Sequence, residues 1–290
     1  MPRLRWRTLG GCPIPPKDSM DLDLHLHSTA SDGTLSPGDV VAAALAARLD
    51  VISLTDHDTT AGIAPAMEAA AGHPLEIIPG IEVSATWDRG EIHVLGYFVD
   101  PSHPRMMEHG EWAGARRIQR MQTMVDRLRE SGIEVDMEDV EEAAGAERGS
   151  LARPHLARAL VEKGVVDSVY EAFDRFIGDE HEAYEPTRLL APEAAVELIR
   201  EVGGIAVWAH PPMDQLDALL PRLVEAGLRG LETYRPRNPR DRTLRLEARA
   251  RSTGLLVTGG SDWHGPEGGE LGQFRVSAKE VSAFLEEGGM

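Results

Sequence analysis

One cysteine, Cys12, is present in 290 residues, so no intramolecular disulfide can form, and a lone thiol points to a reducing compartment, the cytoplasm. No apolar run reaches the length of a membrane span. The opening "MPRLRWRTLGGCPIPPKDS" has no long apolar core, which makes it a poor secretion signal; residues 1–18 read as a loose extension, since fold-like patterning begins at Met20. Internal repeats and low-complexity tracts are missing as well. Basic residues are in deficit, 30 Lys and Arg against 48 Asp and Glu, for a net charge of −18. Such a field repels polyanions in general and argues against non-specific nucleic-acid binding, while leaving room for a local basic site. Nothing implies a membrane partner or an obligate protein partner.

What is present is an ordinary globular composition, 42% hydrophobic and 27% charged, in a chain long enough to bury a sizeable core. Seven β-branched or leucine-rich runs stand out, at 22–27, 49–55, 75–84, 91–99, 203–209, 228–234 and 254–260. Helical patterns separate most of them. In "SPGDVVAAALAARL" Ser36 is an N-cap candidate and Pro37 occupies the first helical position. "TTAGIAPAMEAAA" and "APEAAVELIREVGG" follow the same logic. This alternation predicts an α/β fold with helices outside a parallel sheet, open or closed into a barrel. One junction departs from the rule: only Asp88, Arg89 and Gly90 separate the third and fourth runs, so a hairpin is expected there.

Residues 104–184 carry no strand signal. Ile118, Met121, Val125 and Leu128 recur at helical spacing, a stripe that reads as core. The expected organisation is an extension at 1–18, a first barrel segment at 19–103, an all-helical insertion at 104–184 and a second barrel segment at 185–290.

Chemistry concentrates at the strand ends. In "DLDLHLH" the period-two alternation puts Leu22, Leu24 and Leu26 on one face and Asp21, Asp23, His25 and His27 on the other. Alone, this pattern equally describes a half-exposed edge strand. Asp32 follows just after; "TDHD" supplies His57, "PGIEVS" Glu82, "EIHVLGYF" His93, "AHPP" His210, and "GGSDWHG" Asp262 and His264. In parallel α/β folds the carboxyl ends of strands converge on one surface. Buried carboxylates are costly unless paired or bound to a cation. Mixed imidazole and carboxylate donors without thiolate suit Zn, Mn or Fe. Nine such side chains exceed the needs of one or two ions and fit three divalent transition-metal ions. His73, His103, His109 and His181 lack ligand spacing and are expected to face solvent.

Together "DLHLHSTASDGTLSP", "LTDHDT", "PGIEVS", "IHVLGYF", "WAHP" and "GGSDWH" resemble the PHP (polymerase and histidinol phosphatase) family of metal-dependent phosphoesterases. The resemblance spans residues 20–100 and 190–275. It implies a distorted seven-stranded (β/α) barrel around three metal ions. By motif, His25, His27, Glu82 and Asp262 hold one ion, Asp32, His57 and His264 a second, and Glu82, His93 and His210 a third, with Glu82 bridging. "ARPHLARAL" resembles the marker of the branch with a helical insertion, which places Arg153 and His155 over the metal site. That branch includes phosphatases of nucleoside monophosphates and 3′,5′-bisphosphates and enzymes that trim RNA from its 5′ end.

The expected activity is hydrolysis of a nucleotide's terminal phosphomonoester by a hydroxide bridging the metals. Arg153 and His155, with Arg235, Arg237 and Arg240, would hold the phosphate, and His155 or His264 would protonate the leaving oxygen. The arginines after Tyr234 depart from the family, where a histidine commonly follows. Expected partners are a small phosphorylated substrate, free phosphate or a short RNA end. Alternatives are a 5′–3′ exoribonuclease, a histidinol-phosphatase-like enzyme, an amidohydrolase, or a non-enzymatic metal-binding module.

Overall fold

The computed structural model describes residues 19–88, 90–145, 151–186 and 188–290; the expected extension at 1–18 lies outside the described residues. In chain order the first elements are β1 (Asp21–Leu26), α1 (Pro37–Ala46), β2 (Val51–Leu54), α2 (Ile63–Ala70), β3 (Glu76–Trp87) and β4 (Gly90–Tyr97). A helical stretch follows, with α3 (Pro104–Glu130), α4 (Met137–Ala144), α5 (Arg153–Glu162), α6 (Val169–Ala172) and a π-helical turn at Phe173–Ile177. The chain ends with α7 (Pro192–Glu201), β5 (Ile205–Trp208), α8 (Leu216–Ala226), β6 (Gly230–Tyr234), α9 (Arg240–Thr253), β7 (Leu256–Gly259), β8 (Val276–Ser277) and α10 (Ser282–Gly288).

The strands form one sheet in the order β7-β6-β5-β4-β3-β2-β1-β8. All seven expected strands are present. The eighth, β8, is two residues long and pairs antiparallel with β1, too short to leave a periodic signal. The hairpin is also present: β3 and β4 run antiparallel in register from Gly80↔Tyr97 to Trp87↔Gly90. Because β4 is reversed, it pairs antiparallel with β5 too, while β1, β2 and β3 pair in parallel, as do β5, β6 and β7. The sheet therefore mixes both directions.

Beyond β7 the chain returns to β1 and nearly closes the barrel. Asp262 N donates to His25 O at 2.9 Å, and His27 N to Trp263 O at 2.9 Å. Gly260 permits this approach, since a Cβ there would fall 2.3 Å from His25 Cβ. Both faces of β1 are consequently covered. Leu22, Asp23, Leu24, His25 and Leu26 have no solvent exposure, which removes the edge-strand reading. Leu22 and Leu24 join an apolar cluster with Phe284 and Leu285 of α10, and Leu26 joins one with Val40 and Val41 of α1. Contrary to the expected strict alternation, the pairing of β1 with β2 shifts register between Asp23 and Leu26. Leu22 and Leu24 therefore pack with Ile78, Tyr97 and Val207 of β3, β4 and β5, whereas Leu26 packs outward against α1. His25 and His27 both reach Glu82 at the mouth.

Local signals explain the outer helices. Ser36 caps α1 by accepting from Asp39 N at 3.2 Å, with Pro37 at the first position. The helical stretch between β4 and β5 packs around its own cluster, including Met121, Val125, Leu128, Leu156 and Leu160. One predicted member is misplaced: Ile118 is 52% exposed, and its neighbour Arg117 takes the inward position. Among the described residues no helix is long and apolar enough to cross a membrane.

Candidate metal centre

Every one of the nine expected strand-end side chains lies in a single contiguous cluster at one mouth of the barrel. The reversal of β4 accounts for His93, which is near the start of its strand and yet meets residues at the ends of the others. Glu82 stands at the centre and uses both carboxylate oxygens. Its Oε2 is 3.1 Å from His25 Nε2, 3.2 Å from His27 Nε2 and 3.4 Å from His57 Nδ1. Its Oε1 is 3.0 Å from His93 Nδ1 and 3.1 Å from His210 Nε2. Asp262 Oδ1 approaches His25 and His27 at 3.4 and 3.3 Å. Asp32 Oδ1 lies 3.3 Å from His264 Nε2 and 3.7 Å from His27 Nδ1, and Asp32 Oδ2 lies 4.0 Å from His57 Nε2.

Donor atoms converge in three groups: His25, His27, Glu82 and Asp262; His27, Asp32, His57 and His264; and His57, Glu82 and His93. The first coincides with the expected set. The other two differ in detail, since His27 and His57 each reach two groups. His210 adjoins the third through its contacts with Glu82 and with His93 Nδ1, 3.2 Å away. His210 and Asp262 both have positive φ, 32° and 57°, a cost of the kind that clusters at functional sites.

The electrostatics test whether a cation belongs here. Burial raises the pKa of Glu82, but His25, His93 and His57 hold it well below the ordinary carboxylate range. Against the same burial penalty, His264 and His57 hold Asp32 low, and His25 and His27 hold Asp262 low. The imidazoles respond in kind. Burial opposes charge on His27, yet Asp262 and Glu82 push it up to about 10, and Glu82 and Glu91 push His93 up to about 10 against the same opposition. Burial takes His57 down to about 4. Protons alone satisfy this cluster poorly, because His25 Nε2 and His27 Nε2 face each other at 3.1 Å, where two N–H groups would repel. His27 Nδ1 and His57 Nδ1 are buried without a hydrogen-bond partner. Convergent lone pairs of imidazole and carboxylate suit a divalent cation, so the residues present fit a metal centre.

Several buried acids orient these donors, and composition-based reading passes over them. Glu232 Oε1 accepts from His25 Nδ1 at 2.7 Å and its Oε2 from His210 N at 2.7 Å. Glu91 Oε1 is 3.2 Å from His93 Nε2. Asp56 accepts from Ser28 N, Ser28 Oγ and Ser31 Oγ, pinning the loop that carries Asp32. Asp58, beside His57 at φ 56°, accepts from Ser84 N and from His109 and Arg117. His109 is therefore buried, contrary to the solvent-facing expectation; its partner is distant in sequence. His73 is exposed, while His103 and His181 are half-buried. The acids at 56 and 58 belong to the "TDHD" motif, but Glu232 and Glu91 carried no signal beyond their presence on strands.

The cations expected to bind substrate divide into two groups. Arg235 reaches the cluster, with Nη2 2.7 Å from Asp262 Oδ2 and Nε 3.4 Å from Glu232 Oε2. Arg237 has φ 64° in the turn after β6. Arg153 instead pairs with Asp179 at 2.5 Å and lies over Phe173 and Tyr184, all within the helical stretch. His155 is buried, and its Nδ1 accepts from Ala152 N at 3.0 Å. A cleft of about 340 Å³ opens beside the cluster, walled by Asp262, His264 and Thr34 from the barrel and by Pro154, Arg158 and Tyr170 from the helices. Arg158 ties the two together by donating to Asp32 O at 2.9 Å.

Residues 23–138 match the PHP domain. The chain is 37% identical over 252 residues to the 5′–3′ exoribonuclease Rnm of Escherichia coli, covering 84% of this chain and 85% of that protein. It is 33% identical over 264 residues to the 3′,5′-nucleoside bisphosphate phosphatase of Chromobacterium violaceum, covering 86% and 89%. A solved structure from Bifidobacterium adolescentis, described as a metal-dependent phosphoesterase, superposes with a TM-score of 0.80 at 32% identity, over 91% of this chain and 95% of that one. An imidazole–carboxylate cluster at the mouth of an α/β barrel and this likeness over most of the sequence have one consequence: the chain belongs to the PHP family and is a metal-dependent phosphoesterase.

Proposed function

We propose that the enzyme removes the terminal phosphate of a nucleotide, a nucleoside 5′-monophosphate or 3′,5′-bisphosphate, using three divalent transition-metal ions, Mn, Zn or Fe. His25, His27, Glu82 and Asp262 would hold the first ion, Asp32, His57 and His264 the second, and Glu82, His93 and His210 the third. The observation that carries the reading is Glu82, whose two oxygens address separate sets of imidazoles and so suit a bridging role. When bound, the ions supply Lewis acidity toward phosphoryl oxygens and an activated water.

The protein's own groups position the substrate and move its proton. Arg235, held against Asp262 and Glu232, presents a planar fork beside the cluster for non-bridging phosphate oxygens, with Arg237 next to it in the same turn. His264 donates from Nδ1 to Asp262 O at 2.9 Å, which leaves only Nε2, the atom that faces Asp32, and favours a ligand role. His155 has the opposite arrangement. With Nδ1 accepting from Ala152 N, a neutral ring carries its proton on Nε2, the form needed to protonate a leaving oxygen. Arg153, two residues before His155 at the start of α5, completes the proposed substrate-binding set.

The cleft between helices and barrel is of nucleoside size and favours an end over the middle of a polymer. A second reading, 5′–3′ trimming of short RNA, is supported by the E. coli relative and needs the same cleft to admit a 5′ end. The test is a panel of adenosine monophosphate, a 3′,5′-bisphosphate, a 5′-phosphorylated oligoribonucleotide and a circular RNA, each with and without chelation. Phosphate release from the mononucleotides, lost on chelation and restored by Mn, is expected. Nucleotide release from the oligomer in preference to the mononucleotides would favour trimming. Efficient cutting of the circle, or activity that survives complete metal removal, would overturn the proposal.

A further inference from the structure

Helix α3 is long, and its buried face changes character along its length. From Met121 to Leu128 the inward residues are apolar and belong to the helical cluster. Toward the other end the inward residues include His109 and Arg117, each less than a tenth exposed. A buried arginine is costly unless its charge and N–H groups are matched. Arg117 meets that requirement on the barrel. Its Nε and Nη2 donate to Asp58 Oδ2 at 3.0 and 2.6 Å, and Nη2 also donates to Ser84 Oγ at 2.6 Å. Glu91 Oε1 is 3.7 Å from the same Nη2. His109 Nε2 adds a contact to Asp58 Oδ1 at 3.1 Å.

Both acids contacted by Arg117 adjoin an imidazole of the third donor group. Asp58 follows His57 directly and, through its bond from Ser84 N at 2.8 Å, fixes the turn that presents His57. Glu91 Oε1 is 3.2 Å from His93 Nε2 and so places the ring proton on that nitrogen, leaving Nδ1 to face Glu82 and His210. We infer that Arg117 and Glu91 are positioning residues: Glu91, braced by Arg117, for His93 of the third ion, and Arg117, through Asp58, for His57 of the second, so that the helical stretch sets the affinity of those two positions and not of the first. This inference rests on the metal assignment proposed above. The first set, His25, His27, Glu82 and Asp262, is oriented by another group, Glu232, and receives no contact of this kind from α3 among the described residues. The effect is therefore expected to be selective.

The test titrates Mn and Zn into the metal-free full-length protein against a chromophoric chelator, comparing wild type with Glu91→Gln, Arg117→Met and Arg117→Lys. Loss of an orienting partner weakens metal affinity by about 10- to 100-fold. The expected result is that about one equivalent weakens by that factor in Glu91→Gln and about two in Arg117→Met, while the remainder keep wild-type affinity. Arg117→Lys, which retains the charge but not the fork, should recover part of the loss. Glu91→Gln nearly preserves shape and lies on a barrel strand, so it carries the test should Arg117→Met fail to fold. Wild-type affinity for every equivalent in Glu91→Gln, or equal weakening of all of them, would overturn the inference. Wild-type protein that binds no ion at all would instead refute the metal assignment beneath it.

Discussion

Replacing Glu232 by glutamine should weaken metal binding without changing a single metal ligand. The carboxylate is fully buried, and each oxygen serves one short contact, His25 Nδ1 at 2.7 Å and His210 N at 2.7 Å, with Arg235 Nε 3.4 Å from the latter oxygen. Glutamine offers one acceptor and one donor group. If its oxygen faces His25, its NH2 meets the His210 N–H, and two donors are left opposed in a buried site. If the oxygen faces His210, the NH2 meets His25 Nδ1 and drives the ring proton to Nε2. That nitrogen converges with His27 Nε2 and Glu82 Oε2, so its ligand lone pair is lost. The first orientation leaves buried donors opposed and the second takes a lone pair from the metal; an unmatched buried polar group costs about 1–3 kcal/mol. At 1.4 kcal/mol per decade this is about 5- to 150-fold, the range seen when outer-shell partners of metal ligands are lost. Isothermal titration of the metal-free variant, followed by kcat/KM on a nucleotide at saturating metal, reads both consequences. A Glu232→Gln protein with wild-type metal affinity and wild-type turnover would refute the claim that this carboxylate orients His25.

Metal-free protein should lose stability as pH rises from about 6.5 toward 10. His27 and His93 have folded-state pKa values of about 10, above the ordinary 6.5, so the stability they contribute is complete below 6.5 and disappears through that window. The loss should be on the order of a few kcal/mol and should vanish in metal-loaded protein; thermal melts across pH with and without chelator measure it, and a flat metal-free profile contradicts it. Arg153→Ala and His155→Ala should leave metal content near wild type while lowering turnover at least tenfold, and loss of metal in His155→Ala would place that residue among the ligands. Gly260→Ala should cost about 1–3 kcal/mol, because the new Cβ would collide with His25 and push β7 away from β1; an unchanged melting temperature would count against the described barrel closure.

The amino-acid sequence by itself determined seven of the eight strands, the hairpin, the helical stretch and the nine candidate ligands. These are local or periodic properties: alternation of two across Leu26 brings His25 and His27 to one side, and three intervening residues leave no room for a crossover between β3 and β4. The register shift that parts Leu26 from Leu22 and Leu24 is set by the pairing with β2 and left no periodic sign. The family motifs then stand in order along the chain. Only the tertiary structure decided what those ligands lean on. Glu232 meets His25 from 207 positions away, and Arg117 meets Asp58 from 59 positions away. No spacing rule encodes contacts of that separation. The periodicity of α3 misled in the same place, because a count of hydrophobes assigns Ile118 to the core and Arg117 to solvent. A charged residue enters a buried face only when distant acids are there to receive it, and those acids become visible once the chain has folded.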